Sequence, residues 1–323
     1  MRQKSKIRGR IATVLLAAAL LLTAGCSFGK KEPEISAEPE VSQADLHTVE
    51  WKGTPYMLNP DLETVLFLGI DQDEAFQDEY LAGDSGQADC ILLLVFDKTT
   101  EEAQLLQINR NTMAELTLYD LNGNQGGYKE GQICLQYAYN IGGSSSCWSM
   151  VQTVGTLLNG INIDGYFAMD MAGIAEVNDA LGGVDVTLEA DYTEIDPSYT
   201  EGATVHLEGK KAEEFVRYRD LDTFASVDDR MDRQVAYISA MIDSLQGRGT
   251  GSLYDTLSPY LDTYILTNLS ADHVNALTTY DYQMDAIVTL PGETKQGEIY
   301  EEYDLDEEAL MDLVIETFYI EAE

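Results

Sequence analysis

YFAMDMAGIAEVNDALGGVDVTL (166–188) reads as strand, helix and strand in immediate succession. Tyr166 to Met169 is a short apolar strand. Met171 to Leu181 repeats its apolar positions at helical spacing, and Gly182-Gly183 supplies a stop. Val184 to Leu188 then returns as a strand. Working back along the chain, Thr64 to Ile70 (TVLFLGI) and Cys90 to Phe96 (CILLLVF) are continuous apolar runs ending in polar residues. Ala103 to Ile108 adds a third after the turn-like Asp97 to Thr100. Runs of this kind suit interior strands covered on both faces. Gln136 to Asn140 and Ser149 to Leu158 are helical in pattern, with the Gly-Ser stretch 142–146 read as the break between them. Strands alternating with helices predict a layered α/β domain with a largely central sheet.

The second half of the chain carries an arginine cluster. Beyond residue 25 the sequence holds Arg110, Arg217, Arg219, Arg230, Arg233 and Arg248, against a formal net charge of −38 for the whole chain. Guanidinium groups gathered in so anionic a protein point to a site for phosphate or carboxylate, which arginine grips with paired donors. Glu208 to Val216 reads as a helix leading into Arg217-Tyr218-Arg219; if those three are extended, both arginines face one ligand. A helix from Val227 to Leu245 follows, with Met231, Val235, Ile238, Ile242 and Leu245 forming one buried stripe. Arg230 and Gln234 are neighbours on an adjoining face. Arg233, near the same edge, reads equally well as a surface ion pair with Asp229 or Asp232.

The ends and the composition bound the remaining possibilities. Residues 1–25 combine a basic start (Arg2, Lys4, Lys6, Arg8, Arg10) with the apolar run Ile11 to Leu22, the pattern of an export signal. Thr23-Ala24-Gly25-Cys26 resembles a lipoprotein signal in which Cys26 is lipidated; an uncleaved membrane anchor is the other reading. Removing that leader takes the formal charge from −38 to −43, which argues against nucleic acid as a partner. Residues 26–60, rich in Glu, Ser, Ala and Pro over much of their length, are expected to be a disordered tether. Residues 61–323 are expected to be the folded domain. Cys90 sits in an apolar run, whereas Cys134 and Cys147 could pair in an oxidising compartment. No His-Cys spacing suggests zinc, and no Ser or Cys nucleophile is matched with a histidine; His206 and His273 read as structural.

The chain resembles the LytR-CpsA-Psr family of bacterial cell-envelope phosphotransferases. The likeness is carried by VLFLGIDQDE (65–74), ADCILLLVFDKTTEEAQLLQINRNT (88–112), INIDGYFAMDMAGIAEVNDALGGVDVTL (161–188), HLEGKKAEEFVRYRD (206–220) and DDRMDRQ (228–234). The resemblance implies a three-layer α/β/α domain that binds a polyprenyl pyrophosphate. It implies transfer of a glycopolymer phosphate from that lipid to a peptidoglycan hydroxyl, assisted by magnesium; with the lipoprotein-like signal at Cys26, the protein is expected to be lipid-anchored on the outer face of the cell membrane. On the family's pattern Asp71 and Asp89 are the metal ligands, and Arg110, Arg217, Arg219, Arg230 and Gln234 contact the pyrophosphate. Arg110, Arg217 and Arg219 are the expected catalytic residues. Three departures stand out: Gln87 replaces an arginine, Asn111 replaces an aspartate in what is usually P-R-D-T, and Ala114 replaces a further arginine. The retained residues support a phosphotransferase. The departures leave open a lipoprotein that binds the polyprenyl pyrophosphate or its glycopolymer without turning it over.

Overall fold

The computed structural model describes residues 48–77, 83–220, 224, 226–246, 252–282 and 287–322. The chain divides into Met1–Ser42 and Gln43–Glu323, and the described residues all belong to the second unit. The export signal, Cys26, the first part of the expected tether and Arg248 lie outside the described residues.

The fold opens with a hairpin, β1 (Thr48–Trp51) and β2 (Thr54–Leu58), followed by β3 (Leu62–Ile70), β4 (Ala88–Asp97) and β5 (Glu102–Gln107). A second hairpin, β6 (Met113–Tyr119) and β7 (Gln125–Gln132), precedes α1 (Leu135–Ala138) and α2 (Gly143–Leu157). Then come β8 (Gly165–Asp170), a 3-10 turn, α3 (Ile174–Ala180), β9 (Val184–Thr187) and β10 (Thr204–Leu207). α4 (Lys210–Arg217) and α5 (Ser226–Gln246) carry the arginine cluster. The remainder is α6 (Leu253–Leu257), β11 (Ile265–Thr267), α7 (Ala271–Ala276), β12 (Asp281–Tyr282) and β13 (Val288–Thr289). A hairpin of β14 (Gly292–Gln296) and β15 (Glu301–Leu305), then α8 (Glu307–Phe318) and β16 (Tyr319–Glu321), complete it.

A seven-stranded sheet runs in the order β11-β8-β3-β4-β5-β12, with β13 also on β5. β3 pairs with β8 in parallel and with β4 antiparallel, so the sheet is mixed. Its faces are covered from both sides, as expected of three layers. Leu66, Leu68, Ile91, Leu93 and Val95 pack with Met150, Val151 and Val154 of α2 and Val314 and Phe318 of α8. The alternate residues Val65, Leu92, Leu94, Phe96 and Leu105 pack with Ile238 and Ile242 of α5. This alternation explains why β4 reads as one continuous apolar run.

The pairing of β3 with β4 has one irregularity. Its register steps from Gly69↔Cys90 to Ile70↔Ala88, which leaves Asp89 as the extra residue of a β-bulge. Ala88 and Ile91 both join the α2 side of the core, while Cys90 joins the α5 side. Gly69 permits the kink, because a Cβ there would lie 2.9 Å from the Cys90 Cβ.

Several expectations are corrected. Residues 48–58 are a hairpin rather than tether, and β2 also pairs with β16 from the other end of the chain. The turn is Lys52-Gly53, both at positive φ (50° and 83°), the geometry that suits a two-residue hairpin. Most of the Gly-Ser stretch does not separate two helices but begins α2 at Gly143; Ser146 and Ser149 are buried there and hydrogen-bond to Tyr137 O (2.6 Å) and Ser145 O (3.1 Å). Cys134 and Cys147 are free buried thiols, as is Cys90. Arg217-Tyr218-Arg219 is not an extended run: Arg217 ends α4, and the chain leaves the helix at Tyr218.

Arg233 explains how that helix end is held. It is 2% exposed and forms no salt bridge with Asp229 or Asp232 among the described residues. Its Nε donates to Phe215 O (3.0 Å), its Nη2 donates to Tyr218 O, and Gln234 Nε2 donates to Val216 O (3.4 Å). Two side chains of α5 thus satisfy carbonyls that the end of α4 leaves without helical partners. The Arg233 guanidinium also lies over the Tyr192 and Tyr218 rings, at 5.3 and 5.6 Å.

Urea unfolding of two variants measures what the bulge and the helix end contribute. Gly69→Ala should cost about 1–3 kcal/mol by overpacking the bulge against Cys90. Arg233→Ala should cost about 2–4 kcal/mol, because it strands two carbonyls and empties a packed site.

Candidate functional site

The bulge delivers Asp89, 4% exposed, to the point where two arginines meet. Arg230 Nη1, from the first turns of α5, donates to Asp89 Oδ2 at 2.7 Å. Arg110 Nε, just beyond β5, forms an ion pair with Asp89 Oδ1 at 2.8 Å, out of hydrogen-bonding alignment. Arg110 is steadied by Gln87, whose Oε1 accepts from its Nη2, and by the Cys134 Sγ at 3.2 Å. Burial raises the pKa of that thiol to about 11, so Cys134 stays protonated at neutral pH. One carboxylate between two guanidinium groups leaves positive charge in excess. Arg230 itself is 5% exposed, yet its Nε and Nη2 find no hydrogen-bond partner among the described residues. Buried charged donors of this kind are costly unless something anionic meets them.

Arg219 approaches from the end of α4. Its Nε donates to Ser226 Oγ (3.1 Å) and its Nη2 lies 3.5 Å from Glu301 Oε2. Burial, then the nearby charges of Arg230 and Arg110, push its pKa below the usual arginine value, which places the three arginines in one field. Arg217 flanks the opposite side, with its Nη2 2.6 Å from Asp73 Oδ1 and 3.6 Å from Asp71 Oδ1, and its Nη1 3.3 Å from Glu213 Oε1. Arg110, Arg219 and Arg230 therefore converge, while Arg217 reaches the group through the carboxylates after β3.

Asp71 is half-buried, and its pKa is raised first by burial and next by repulsion from Asp89, against the pull of Arg217 and Arg230. Asp71 and Asp89 thus feel each other across the site. Asp89 Oδ1 is buried with no hydrogen bond. Magnesium takes one or two carboxylates and completes its shell with water and phosphate oxygens, so this donor set fits it. No group of three His, Cys, Asp or Glu residues gathers as a metal site among the described residues. Any such ion would therefore depend on its substrate for most of its ligands.

Gln234, one turn beyond Arg230, caps α4 through its amide nitrogen, while its Oε1 is buried without a partner. It also lines an apolar cavity. Between the sheet and α5 lies about 160 Å³ of free space walled by residues such as Phe67, Leu92, Leu105, Ile238 and Met241. A second cavity of about 50 Å³ shares Phe67, Met169, Tyr237 and Ile238 with it and reaches Cys90 and Gln234. Cys90 follows Asp89 and Gln234 follows Arg230 by one turn, so the smaller cavity lies beside the residues that carry the buried ion pairs.

The three departures acquire physical roles here. Gln87 keeps Arg110 in place by a neutral hydrogen bond. Asn111 accepts from Gln132 Nε2 (2.9 Å), inside a seam where Tyr303 N donates to Asn111 O (2.9 Å). Ala114 is packed in the core beside Leu116 and Ile133, away from any ligand. Sequence reasoning missed Glu301 and Ser226 as partners of Arg219. Nothing in the acidic stretch 298–308 distinguishes Glu301 from its neighbours; only the docking of β15 on Asn111 and Thr112 selects it.

Over 279 residues the chain is 27% identical to the polyisoprenyl-teichoic acid–peptidoglycan teichoic acid transferase TagV of Bacillus subtilis (strain 168), covering 82% of this chain and 64% of that protein. It is 26% identical over 245 residues to the corresponding TagU of Oceanobacillus iheyensis, covering 73% of this chain and 70% of that one. Among solved structures, B. subtilis TagV superposes with a TM-score of 0.60 at 22% identity, over 80% of this chain and 98% of that one. TagT bound to LI-WTA gives 0.59 at 21% identity, over 80% and 90%. These likenesses show the fold. The model of the LytR_cpsA_psr family matches residues 29–314, and the chain belongs to that family.

Proposed function

We propose that this protein transfers a glycopolymer phosphate from a polyprenyl pyrophosphate to a hydroxyl of peptidoglycan. The observation that carries the reading is the pair of arginines around Asp89, Arg230 buried and Arg110 partly so, with Arg230 Nε and Nη2 unpartnered among the described residues and an apolar cavity beside them. A ligand that satisfies both features has an anionic head and a long hydrocarbon tail. The names of TagV and TagU, transferases of teichoic acid to peptidoglycan, support the same reaction class.

The chemistry follows from charge. The acceptor oxygen forms a bond to the phosphorus that bears the glycopolymer, and the bond from that phosphorus to the polyprenyl phosphate breaks. The hydroxyl proton passes to solvent, and negative charge grows on the leaving polyprenyl phosphate. Arg110 and Arg230, oriented beforehand by Asp89, present donors where that charge develops, and Arg219 and Arg217 close the site from either side. Because Asp89 holds two guanidinium groups, little reorganisation is needed when the substrate enters. Held by Asp71 and Asp89, magnesium would supply further positive charge to the phosphate oxygens. The cavity under α5 takes the tail, and Gln234 stands at the junction of tail and head. In this reading Cys26 carries the lipid that keeps the domain on the outer face of the cell membrane, where such substrates reside.

Turnover is tested by following release of polyprenyl phosphate from a polyprenyl-pyrophosphate-linked oligosaccharide with peptidoglycan fragments as acceptor. Arg217→Ala and Arg219→Ala should each lower turnover by about a hundredfold or more while the protein remains folded. Wild-type rates in both would refute the assignment. Tight retention of the lipid without turnover by wild type would establish a binding protein in its place.

The tail path is tested separately. Met241→Trp should weaken binding of a long polyprenyl pyrophosphate about tenfold or more by filling the cavity, with inorganic pyrophosphate affinity retained. Equal losses for both ligands would place the tail elsewhere.

A further inference from the structure

A third cavity, this one polar, lies at the edge of the sheet, between the start of α5 and the β14–β15 hairpin. It holds about 270 Å³ of free space, and its walls include Gln107, Asn109, Asp228, Asp232, Thr294 and Tyr303. Three of its walls belong to elements that also carry the arginine site. Asn109 precedes Arg110; Asp228 and Asp232 flank Arg230 on α5; Tyr303 shares β15 with Glu301, the partner of Arg219.

We propose that this cavity is the subsite for one sugar residue of a neutral acceptor glycan, recognised through its hydroxyl groups. The inference rests on the transferase reading and adds to it the place where the acceptor binds.

The charge of the walls decides the class of ligand. Asp228, Asp232 and Glu293 line the cavity and, among the described residues, no lysine or arginine does, so a phosphate or carboxylate ligand is repelled. These carboxylates do not gather into a metal site, since no group of three such side chains that could hold an ion is found among the described residues. A neutral molecule rich in hydroxyls fits these walls, because carboxylates are strong hydrogen-bond acceptors. The volume lies near the lower end of small-ligand sites, roughly 300 Å³, enough for a single sugar with the rest of its chain outside.

The walls are also fixed before any ligand arrives. Gln107 Nε2 donates to Met231 O (3.2 Å), Thr289 Oγ1 donates to Gln107 Oε1 (2.9 Å), and Asn109 Nδ2 donates to Asp228 Oδ1 (3.1 Å). Tyr303 is anchored by its hydroxyl on Leu290 O (2.8 Å). Thr294 Oγ1 lies 3.4 Å from Asp228 Oδ2, so that oxygen has only a long contact to give up to a hydroxyl. Burial raises the Asp228 pKa, and the hydrogen bonds from Thr294 and Asn109 oppose the rise. Separate cavities, one apolar and one polar, then serve the two substrates on either side of the arginines.

The test uses the full-length protein in detergent and two probes: a β-1,4-linked tetrasaccharide of N-acetylglucosamine, and inorganic pyrophosphate. Binding of each is measured by titration to wild type, Asp228→Asn and Thr294→Phe, the last filling the cavity. The expected result is that both variants bind the tetrasaccharide at least about tenfold more weakly while pyrophosphate affinity stays within twofold, which also shows that they are folded. Tetrasaccharide binding unchanged in both variants would overturn the subsite. So would a wild type that binds pyrophosphate but no tetrasaccharide, an outcome that leaves the transferase reading intact. Tetrasaccharide binding sensitive to both substitutions, in a protein that does not bind pyrophosphate, would uphold the cavity and remove the transferase reading.

Discussion

A single carboxylate held between two guanidinium groups governs the layout of this protein. Asp89 is buried where the desolvation of a lone charge would be prohibitive, so Arg110 and Arg230 must be present together. Those two arginines come from opposite parts of the chain, one from the end of a sheet strand and one from the helix laid across it. Their joint attachment to Asp89 therefore fixes the start of α5 over the end of β5. From α5 come three further contacts: Ser226 to Arg219, Gln234 beside the smaller apolar cavity, and Arg233 on the carbonyls at the end of α4.

The ion triad also leaves the site electrically incomplete. The triad itself carries one negative charge against two positive ones, and two nitrogens of Arg230 lack hydrogen-bond partners among the described residues, inside a chain of formal charge −38. The carboxylates around it are engaged elsewhere, Asp71, Asp73 and Glu213 with Arg217 and Glu301 with Arg219. The same acidic surface gives any divalent cation a high local concentration near the two carboxylates that face the site.

Much of the fold could be read from the sequence wherever one physical signal dominated. β4 and the middle of β3 appear as unbroken apolar runs, β5 and β8 as shorter ones; α5 shows its stripe in Met231, which is buried, and in Ile238 and Ile242, which pack half-buried against the sheet. The double glycine after α3 marks a real stop, for both residues take positive φ (89° and 73°). Elements defined by pairing rather than burial were hidden. The β1–β2 hairpin turns on Lys-Gly instead of the more telling Asn-Gly, inside a segment whose composition suggests disorder. β6 and β7 hold one another with a largely polar, exposed face. At the site, residue types were legible and geometry was not. The bulge that turns Asp89 toward the arginines depends on a one-residue step between two strands. The role of Arg233 depends on a helix end that lies elsewhere in the sequence, and its charged neighbours Asp229 and Asp232 pointed to the wrong partner.

The hairpin at residues 48–58 constrains the order in which the fold can be completed. β2 pairs with β16, and Trp51 and Lys52 reach Asp312 at 2.8 and 2.7 Å, contacts that join opposite ends of the chain. α8, which seals one face of the sheet, lies just before β16. No early stretch of chain can therefore finish the core on its own, and the closing contacts must await the last residues to emerge. Loop closure over such separations is entropically late and makes for slow folding. The core is therefore complete only once residues 307–321 have returned to the hairpin at residues 48–58.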